Sequence, residues 1–345
     1  MSAVAVDSVR AVIGDRAPAA ATQRLLAHGF DALPLPGAGR TLYRWRALAA
    51  VGAADLSLAK VFEGHTDAIA ILAELAPRFP QPPGALWGVW AAEAAGTSLQ
   101  CVAADGQPAL RDGQAGTLHG VKPWCSAAAC VSHALVTAHT GGGQRQLFAV
   151  QLNAPGVRVD GSRWQAVGMA ASASADVHFD DVVATAVGEP GAYLSRPGFW
   201  HGGAGVAACW FGAARALAGA LLTAPEGAVP EGRMLRAMSL GRISLALTHS
   251  ATLLADIAAA IDAEPTADVG DAVRLVRLSV DQTARQVLDE VMRALGPTPF
   301  CRDPALARLA ADLPVFIRQC HGDGDLLQAG RAAQAAGSDR AAWPL

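Results

Sequence analysis

Apolar residues recur at i, i+3 and i+4 through Thr41 to Ala50 and again through Leu56 to Leu75, a spacing that predicts two helices with a buried face. Asp55 or Ser57 is placed to cap the second, and a shorter helix over Thr22 to His28 stops at Gly29. Pro77, Pro80, Pro82 and Pro83 then end the helical pattern. From Ala85 to about Val187 the period shortens. The runs LWGVWAA, LQCVAAD, TLHG, HALVTA, RQLFAVQL and ADVHFDDVVA read as strands, broken by turn residues at Asp105-Gly106, Asp112-Gly113 and Gly141-Gly142-Gly143. After Gly188-Glu189-Pro190-Gly191 the chain turns helical again over Val206 to Thr223, Arg233 to Ala263 and Asp271 to Leu295, the last ending on Gly296-Pro297. Asp303-Pro304 starts another helix, which Pro314 disturbs. The stretch Cys320-His321-Gly322-Asp323-Gly324 breaks it, and Asp325 caps a final helix through Ala336.

The pattern predicts a mainly α chain with an inserted β-domain. Residues 1–82 form an N-terminal helical domain, 83–190 a small β-barrel or sandwich, and 191–345 a helical bundle. Composition narrows the function. Hydrophobic residues make up 52% of the 345-residue chain and charged residues 17%, which argues against disorder. A net charge of -3 leaves no basic footprint, so nucleic acid is not expected as a partner. Six cysteines without CxxC pairs point to reduced thiols in a cytoplasmic setting rather than a disulfide framework or a zinc site. No leader pattern opens the sequence, and Ala204 to Ala224, interrupted by Arg215, reads as a buried helix rather than a membrane span. So apolar a chain with so few charges suggests that some of its surface is covered by copies of itself.

One stretch stands out for chemistry. Gly120-Val121-Lys122-Pro123-Trp124 delivers a large aromatic residue, Cys125-Ser126 adds a thiol and a hydroxyl, and Ala127 to Ala129 add almost no side chain. Such a sequence suits a flat ligand lying against backbone. It equally suits an ordinary turn with a core tryptophan.

Element order and motifs together resemble the acyl-CoA dehydrogenase family of flavoproteins. Trp90-Ala91-Ala92-Glu93-Ala94-Ala95-Gly96-Thr97 is similar to the family's Thr-Glu-Pro…Gly-Ser segment, with Ala92 and Ala94 in place of Thr and Pro. Gly120 to Ser126 is similar to Gly-x-Lys-x-Trp-Ile-Thr. Gly168-Met169-Ala170-Ala171-Ser172, with Val177 to Val182, is similar to Gly-Met-x-x-Ser…Val-x-Phe-x-x-Val. The resemblance implies an N-terminal helical domain, a central β-barrel and a C-terminal four-helix bundle, with FAD as cofactor. Trp90, Glu93 and Thr97 would wrap the flavin, Trp124 would lie on its ring, and Ser126, beside Cys125, would bond near its N5. Arg293 and Gly296 stand where the family places a Gln-x-x-Gly-Gly stretch on the adenosine diphosphate part, and Arg236 or Arg242 where it has a flavin-contacting Arg.

The family's catalytic Glu is missing from both of its usual positions. One reads Gln319-Cys320-His321-Gly322-Asp323 and the other Phe199-Trp200-His201-Gly202-Gly203. His321 or His201, oriented by Asp323 or Asp325, or Asp323 itself, is the candidate base. The resemblance implies α,β-dehydrogenation of an acyl-CoA or acyl-carrier thioester, with an electron-acceptor flavoprotein or reductase as partner and a homodimer or homotetramer as assembly. Two alternatives stay open: a flavin-dependent monooxygenase on the same fold, and a catalytically degenerate flavin-binding paralogue.

Overall fold

A computed structural model describes residues 5–104, 106–224 and 230–336. The turn expected at Asp105-Gly106 therefore has its first residue outside the described residues. The chain begins with α1 (Val6–Ile13), α2 (Pro18–Ala27), α3 (Thr41–Ala54) and α4 (Leu56–Leu75). Seven strands follow: β1 (Trp87–Trp90), β2 (Leu99–Ala103), β3 (Ala115–Cys125), β4 (His133–His139), β5 (Arg145–Gln151), β6 (Val157–Asp160) and β7 (Ala175–Val187). The rest is helical: α5 (Ala192–Ser195), α6 (Gly198–Thr223), α7 (Pro230–Ala263), α8 (Gly270–Leu295), α9 (Pro297–Arg302), α10 (Pro304–Phe316) and α11 (Asp323–Ala336). The chain divides into two compact units. One comprises residues 1–6, 34–56 and 200–345, the other residues 7–33 and 57–199.

In the strand-bearing unit, β2 pairs with β3, β3 with β7, β7 with β5 and β5 with β4, and a single β2–β4 pair closes the ring. β1 adds parallel to β4, and β6 adds to β7. The period-2 side-chain alternation divides the strands between two cores. Ala134, Val136 and Ala138 of β4 and Phe148 and Val150 of β5 point into the ring, with Leu118, Val177 and Phe179. Leu135, Leu147 and Ala149 point outward and are covered by Ala68, Ile71 and Leu72 of α4, whose i, i+3, i+4 spacing supplies one face. β6 was not expected from the sequence. It is a four-residue, half-buried edge strand whose Val-Arg-Val-Asp alternation is too short, directly after the turn residues Pro155-Gly156, to stand out in the sequence.

In the other unit, α3 and α6 approach backbone to backbone. A Cβ on Gly52 would lie 2.3 Å from the Cys209 carbonyl oxygen, and one on Gly212 would lie 1.9 Å from that of Ala49, so only glycine fits at either place. The start of α3 is capped by Asp262, which accepts from the Thr41 amide at 2.9 Å and its hydroxyl at 2.6 Å. The apolar helix expected over Ala204 to Ala224 begins earlier, at Gly198, and is largely buried: Trp210, Ala213, Ala214, Leu217 and Leu221 are fully enclosed. α6 and the Glu231–Ala263 part of α7 are long and apolar enough to cross a membrane by length and composition. Asp303 caps α10 as expected, accepting from the Ala305 and Leu306 amides. Pro314 does not break α10, which runs on to Phe316 before a 3-10 turn over Ile317–Gln319. The final helix starts two residues before the expected cap, at Asp323, because Asp325 turns back to accept from the His321 amide.

Candidate functional site

The pairing of β3 with β7 slips twice, between Leu118 and Gly120 and between Lys122 and Cys125. At the first slip Gly120 has φ +114, and a Cβ there would sit 2.2 Å from the Ser98 carbonyl oxygen, which instead accepts from the Val121 amide at 2.9 Å. That close approach holds the segment after β1 against β3. At the second slip Trp124 takes φ 60, and the bulge aims its indole outward, 55% exposed, while Cys125 goes fully into the core. Burial pushes the Cys125 thiol well above its ordinary pKa, and its Sγ donates to the Lys122 carbonyl at 3.2 Å, so it is a packed thiol.

Ala127, with φ 56, donates its amide to the Ser172 carbonyl at 2.8 Å, joining this loop to the 3-10 turn Ala170–Ser172. Met169 (φ 60) and Ala173 (φ 42) flank that turn. Four of the five non-glycine residues with positive φ among the described residues therefore meet in one place. Each costs about 1 kcal/mol or more, a cost that persists only where the surroundings enforce it, and such strain concentrates at ligand sites. The two loops carry a chain of hydroxyls. Ser126 Oγ lies 3.0 Å from Ser174 Oγ, which lies 3.1 Å from Ser172 Oγ. Trp90 Nε1 donates to the Ser126 carbonyl at 3.2 Å. Trp164 meets the Trp124 ring edge-on at 6.3 Å between centroids. An exposed indole, a hydroxyl and small residues on a rigid strained frame fit a planar heteroaromatic ring.

Beside it, from Pro123 back to Val121, lies a cavity of about 310 Å³ lined also by Glu93, Thr97, Ser98, Thr137 and His139. Glu93 bridges His139 at 3.2 Å and Arg145 at 3.3 Å. The Lys122 ammonium is buried and donates to the Thr137 carbonyl at 2.9 Å and hydroxyl at 2.7 Å. Burial lowers its pKa to about 8, against the opposing pull of Glu93. Thr97 turns its hydroxyl onto the Ala94 carbonyl at 2.9 Å and so closes the turn rather than pointing into the cavity.

The other unit holds the expected bases. Arg277 donates to the Gly203 carbonyl and, at 2.6 Å, to the Gln319 carbonyl, with its guanidinium 4.9 Å from the Trp210 ring. It thereby ties the first turns of α6, which carry His201, to the loop that carries His321. His201 is buried, 3% exposed, and His321 and Asp323 are exposed. Asp325 is committed: it accepts from the His321 amide at 3.0 Å and lies 3.4 Å from Arg274 Nε. Arg293 pairs with Asp289 and faces Glu290 at 4.0 Å, and Gly296 (φ +65) ends α8 directly before α9. Arg242 lies 3.5 Å from Glu290, and Arg236 donates to the Leu221 and Ala224 carbonyls.

Sequence reasoning missed Lys60, Glu63 and His65 on α4, where Glu63 and His65 are buried. Lys60 lies 3.4 Å from Glu63, and His65 accepts from the Trp87 amide at 3.3 Å, with Asp31 at 3.9 Å. Burial lowers the His65 pKa. The signal was three ionisable residues inside the apolar run Leu56 to Leu75.

No protein-family model and no curated protein matches the chain. Solved structures do. FkbI, described as acting in biosynthesis of the methoxymalonyl extender unit of the Fk520 polyketide immunosuppressant, aligns at a TM-score of 0.78 with 18% identity, over 96% of this chain and 99% of that one. FMN-bound TdsC from Paenibacillus sp. A11-2 aligns at 0.76 with 16% identity, over 94% of each chain. Butyryl-CoA dehydrogenase from Megasphaera elsdenii aligns at 0.73 with 17% identity, over 90% and 89%. The chain thus has the fold of the acyl-CoA dehydrogenase-like flavoproteins.

Proposed function

We propose that the protein is a flavin-dependent oxidoreductase whose ring site is built by Trp124, Ser126 and the strained loops around them. The observation that carries this reading is the exposed Trp124 indole held at positive φ beside the Ser126–Ser174–Ser172 hydroxyl chain. Trp124 would stack on the ring, and Ser126, which can donate or accept, would bond its edge. Trp90, Glu93, Thr97 and Gly96 would shape the adjoining segment. A bound flavin would supply two-electron redox chemistry. As to which flavin, the sequence resemblance implies FAD, but Arg293 is engaged by Asp289 and Glu290, which weakens its fitness to hold an adenosine diphosphate. FMN is the better fit, as in TdsC.

For the reaction, we favour oxygenation of the monooxygenase type, the activity named for TdsC. α,β-Dehydrogenation of a thioester needs a desolvated carboxylate base. The candidate positions offer a buried imidazole at His201, an exposed Asp323 and a committed Asp325. An imidazole can pass a proton at neutral pH without a carboxylate's desolvation, so His201 or His321 would serve as the proton carrier. Dehydrogenation of an acyl-CoA or acyl-carrier substrate is the second reading, favoured by the fold shared with butyryl-CoA dehydrogenase. A reductase supplying reduced flavin, a homo-oligomeric assembly and a cytoplasmic location, in keeping with six unpaired cysteines, complete the proposal.

The readings separate in one experiment. Anaerobic addition of a panel of acyl thioesters to the flavin-loaded protein is expected to leave the flavin spectrum unbleached, and addition of reduced FMN in air to give oxygen uptake. Bleaching by any thioester overturns the oxygenase reading in favour of dehydrogenation.

A further inference from the structure

The loop Gly161-Ser162-Arg163-Trp164-Gln165-Ala166-Val167-Gly168, which follows β6, is largely exposed and yet carries a tryptophan. Trp164 is half-buried and belongs to neither apolar core of the strand-bearing unit. An indole outside both cores does little to hold the barrel together, so its use is read from what it touches.

The loop around it is anchored. The Trp164 amide donates to the Gly161 carbonyl at 3.1 Å. Asp160 accepts from the Ser162 amide at 3.0 Å, Arg163 pairs with Asp176 of β7 at 3.1 Å, and Gln165 donates to the Ser162 carbonyl at 2.8 Å. The indole Nε1 donates to the Ala170 carbonyl at 3.2 Å, which ties the ring to the strained turn between Met169 and Ala173. The ring itself meets that of Trp124, at 6.3 Å between centroids and 85° between planes.

The two strained loops are thereby joined twice. On one side the Ala127 amide donates to the Ser172 carbonyl. On the other, Trp124 meets Trp164 and Trp164 holds Ala170. The first join fixes where the loops lie, and the second fixes where Trp124 points. That second join matters because Trp124 leaves β3 at a bulge, with φ 60 and 55% of its surface exposed. An exposed side chain samples several staggered orientations unless a neighbour selects one. A perpendicular aromatic neighbour does so, because edge-to-face contact is directional. An indole already held in one orientation takes up a flat ring without first losing that freedom, and preorganisation of this kind raises affinity.

We propose that Trp164 is a positioning residue of the ring site: it clamps the Trp124 indole at right angles and so keeps it set to receive a planar heteroaromatic ring. The identity of that ring rests on the flavin reading, whereas the clamp is measurable without any ligand.

Two measurements on the purified full chain test the proposal, with urea denaturation of every variant alongside. The first uses no flavin. Two indoles this close couple, so the circular dichroism of the wild type carries an exciton couplet in the indole region, and Trp124→Phe and Trp164→Phe each remove the same couplet. Difference spectra that share no couplet overturn the clamp. The second is a titration with FMN followed by flavin fluorescence. Trp164→Leu raises the dissociation constant roughly tenfold, while Trp164→Phe, which keeps a flat ring against Trp124, stays within about threefold of the wild type. The urea midpoints of both variants stay close to that of the wild type, because Trp164 lies outside both cores. A Trp164→Leu variant that binds FMN as the wild type does overturns the proposal. So do leucine and phenylalanine variants that bind equally weakly, and an affinity loss that merely follows a loss of stability. A wild type that shows the couplet but binds neither FMN nor FAD overturns the flavin reading and the role of Trp164 with it. Normal wild-type binding that Trp164→Leu leaves undisturbed overturns the role of Trp164 alone.

Discussion

The two candidate regions are built on opposite principles. Around Trp124 the backbone is strained, with Trp124, Ala127, Met169 and Ala173 all at positive φ, while the side chains with chemistry, an indole and a hydroxyl, lie partly open. Around His201 the backbone is regularly helical, and there and in the loop that carries His321 the polar side chains are tied down. Arg277 spans two carbonyls, Arg285 binds Asp281 at 2.8 and 2.9 Å, and Asp325 holds the His321 amide. Strain with open side chains marks a place kept ready for a ligand. Regular backbone with closed ion pairs marks a place optimised for stability; under the proposed function a histidine there would be the proton carrier. A Trp124→Gly substitution sharpens the contrast most. It removes the ring and relieves the positive φ, so flavin affinity falls roughly 100-fold or more while stability changes by only about 1 kcal/mol in either direction. Flavin fluorescence titration and urea denaturation check the two halves separately.

Arg277→Met is the converse. It leaves the Gly203 and Gln319 carbonyls without their buried donor and is expected to cost about 2–4 kcal/mol, read from the urea midpoint. If the cost is below about 0.5 kcal/mol, Arg277 is not the clasp described.

Two buried bases give pH signatures of opposite visibility. Burial depresses the Lys122 pKa to about 8, below the ordinary 10.5, so the unfolded chain binds the extra proton between those values. Its burial therefore opposes folding below pH 8, and the penalty fades as pH rises to 10.5. Lys122→Met should accordingly be more stable than the wild type at pH 7, by an amount that shrinks by pH 10. A gap that is constant with pH contradicts this. For His65, burial also lowers the pKa, so its contribution is intact above pH 6.5 and is lost as pH falls from there towards the depressed value. His65→Gln should flatten that acid-side loss, read from urea midpoints between pH 7 and pH 5.

Much of this was legible in the sequence because the informative features were local. Short apolar runs gave β1 to β5 and β7, β2 by alternating core and solvent positions and β4 and β5 by staying apolar because both their faces are packed, and Gly120, Trp124 and Ser126 lay in one short stretch. β6 was hidden because its alternation lasts only four residues, and Ser174 because its role depends on a 3.0 Å approach from a residue 48 positions away. The commitments of Asp325 and Arg293 were equally invisible. Both residues look available in sequence, and only their ion pairs show that they are spoken for.

Smaller effects sharpen the ring site. Ser126→Ala is expected to weaken flavin binding by about 1 kcal/mol, roughly fivefold, without disturbing the fold, because Ser174 keeps its bond to Ser172.

The central claim is that Trp124 and its strained loops hold a flavin ring. Its most direct test is a titration of the purified chain with FMN and with FAD, following flavin fluorescence and the visible spectrum, for the wild type and Trp124→Ala. The account predicts saturable quenching by the wild type, tighter for FMN than for FAD, that Trp124→Ala abolishes. Absence of quenching with either flavin, or binding that Trp124→Ala leaves unchanged, contradicts it.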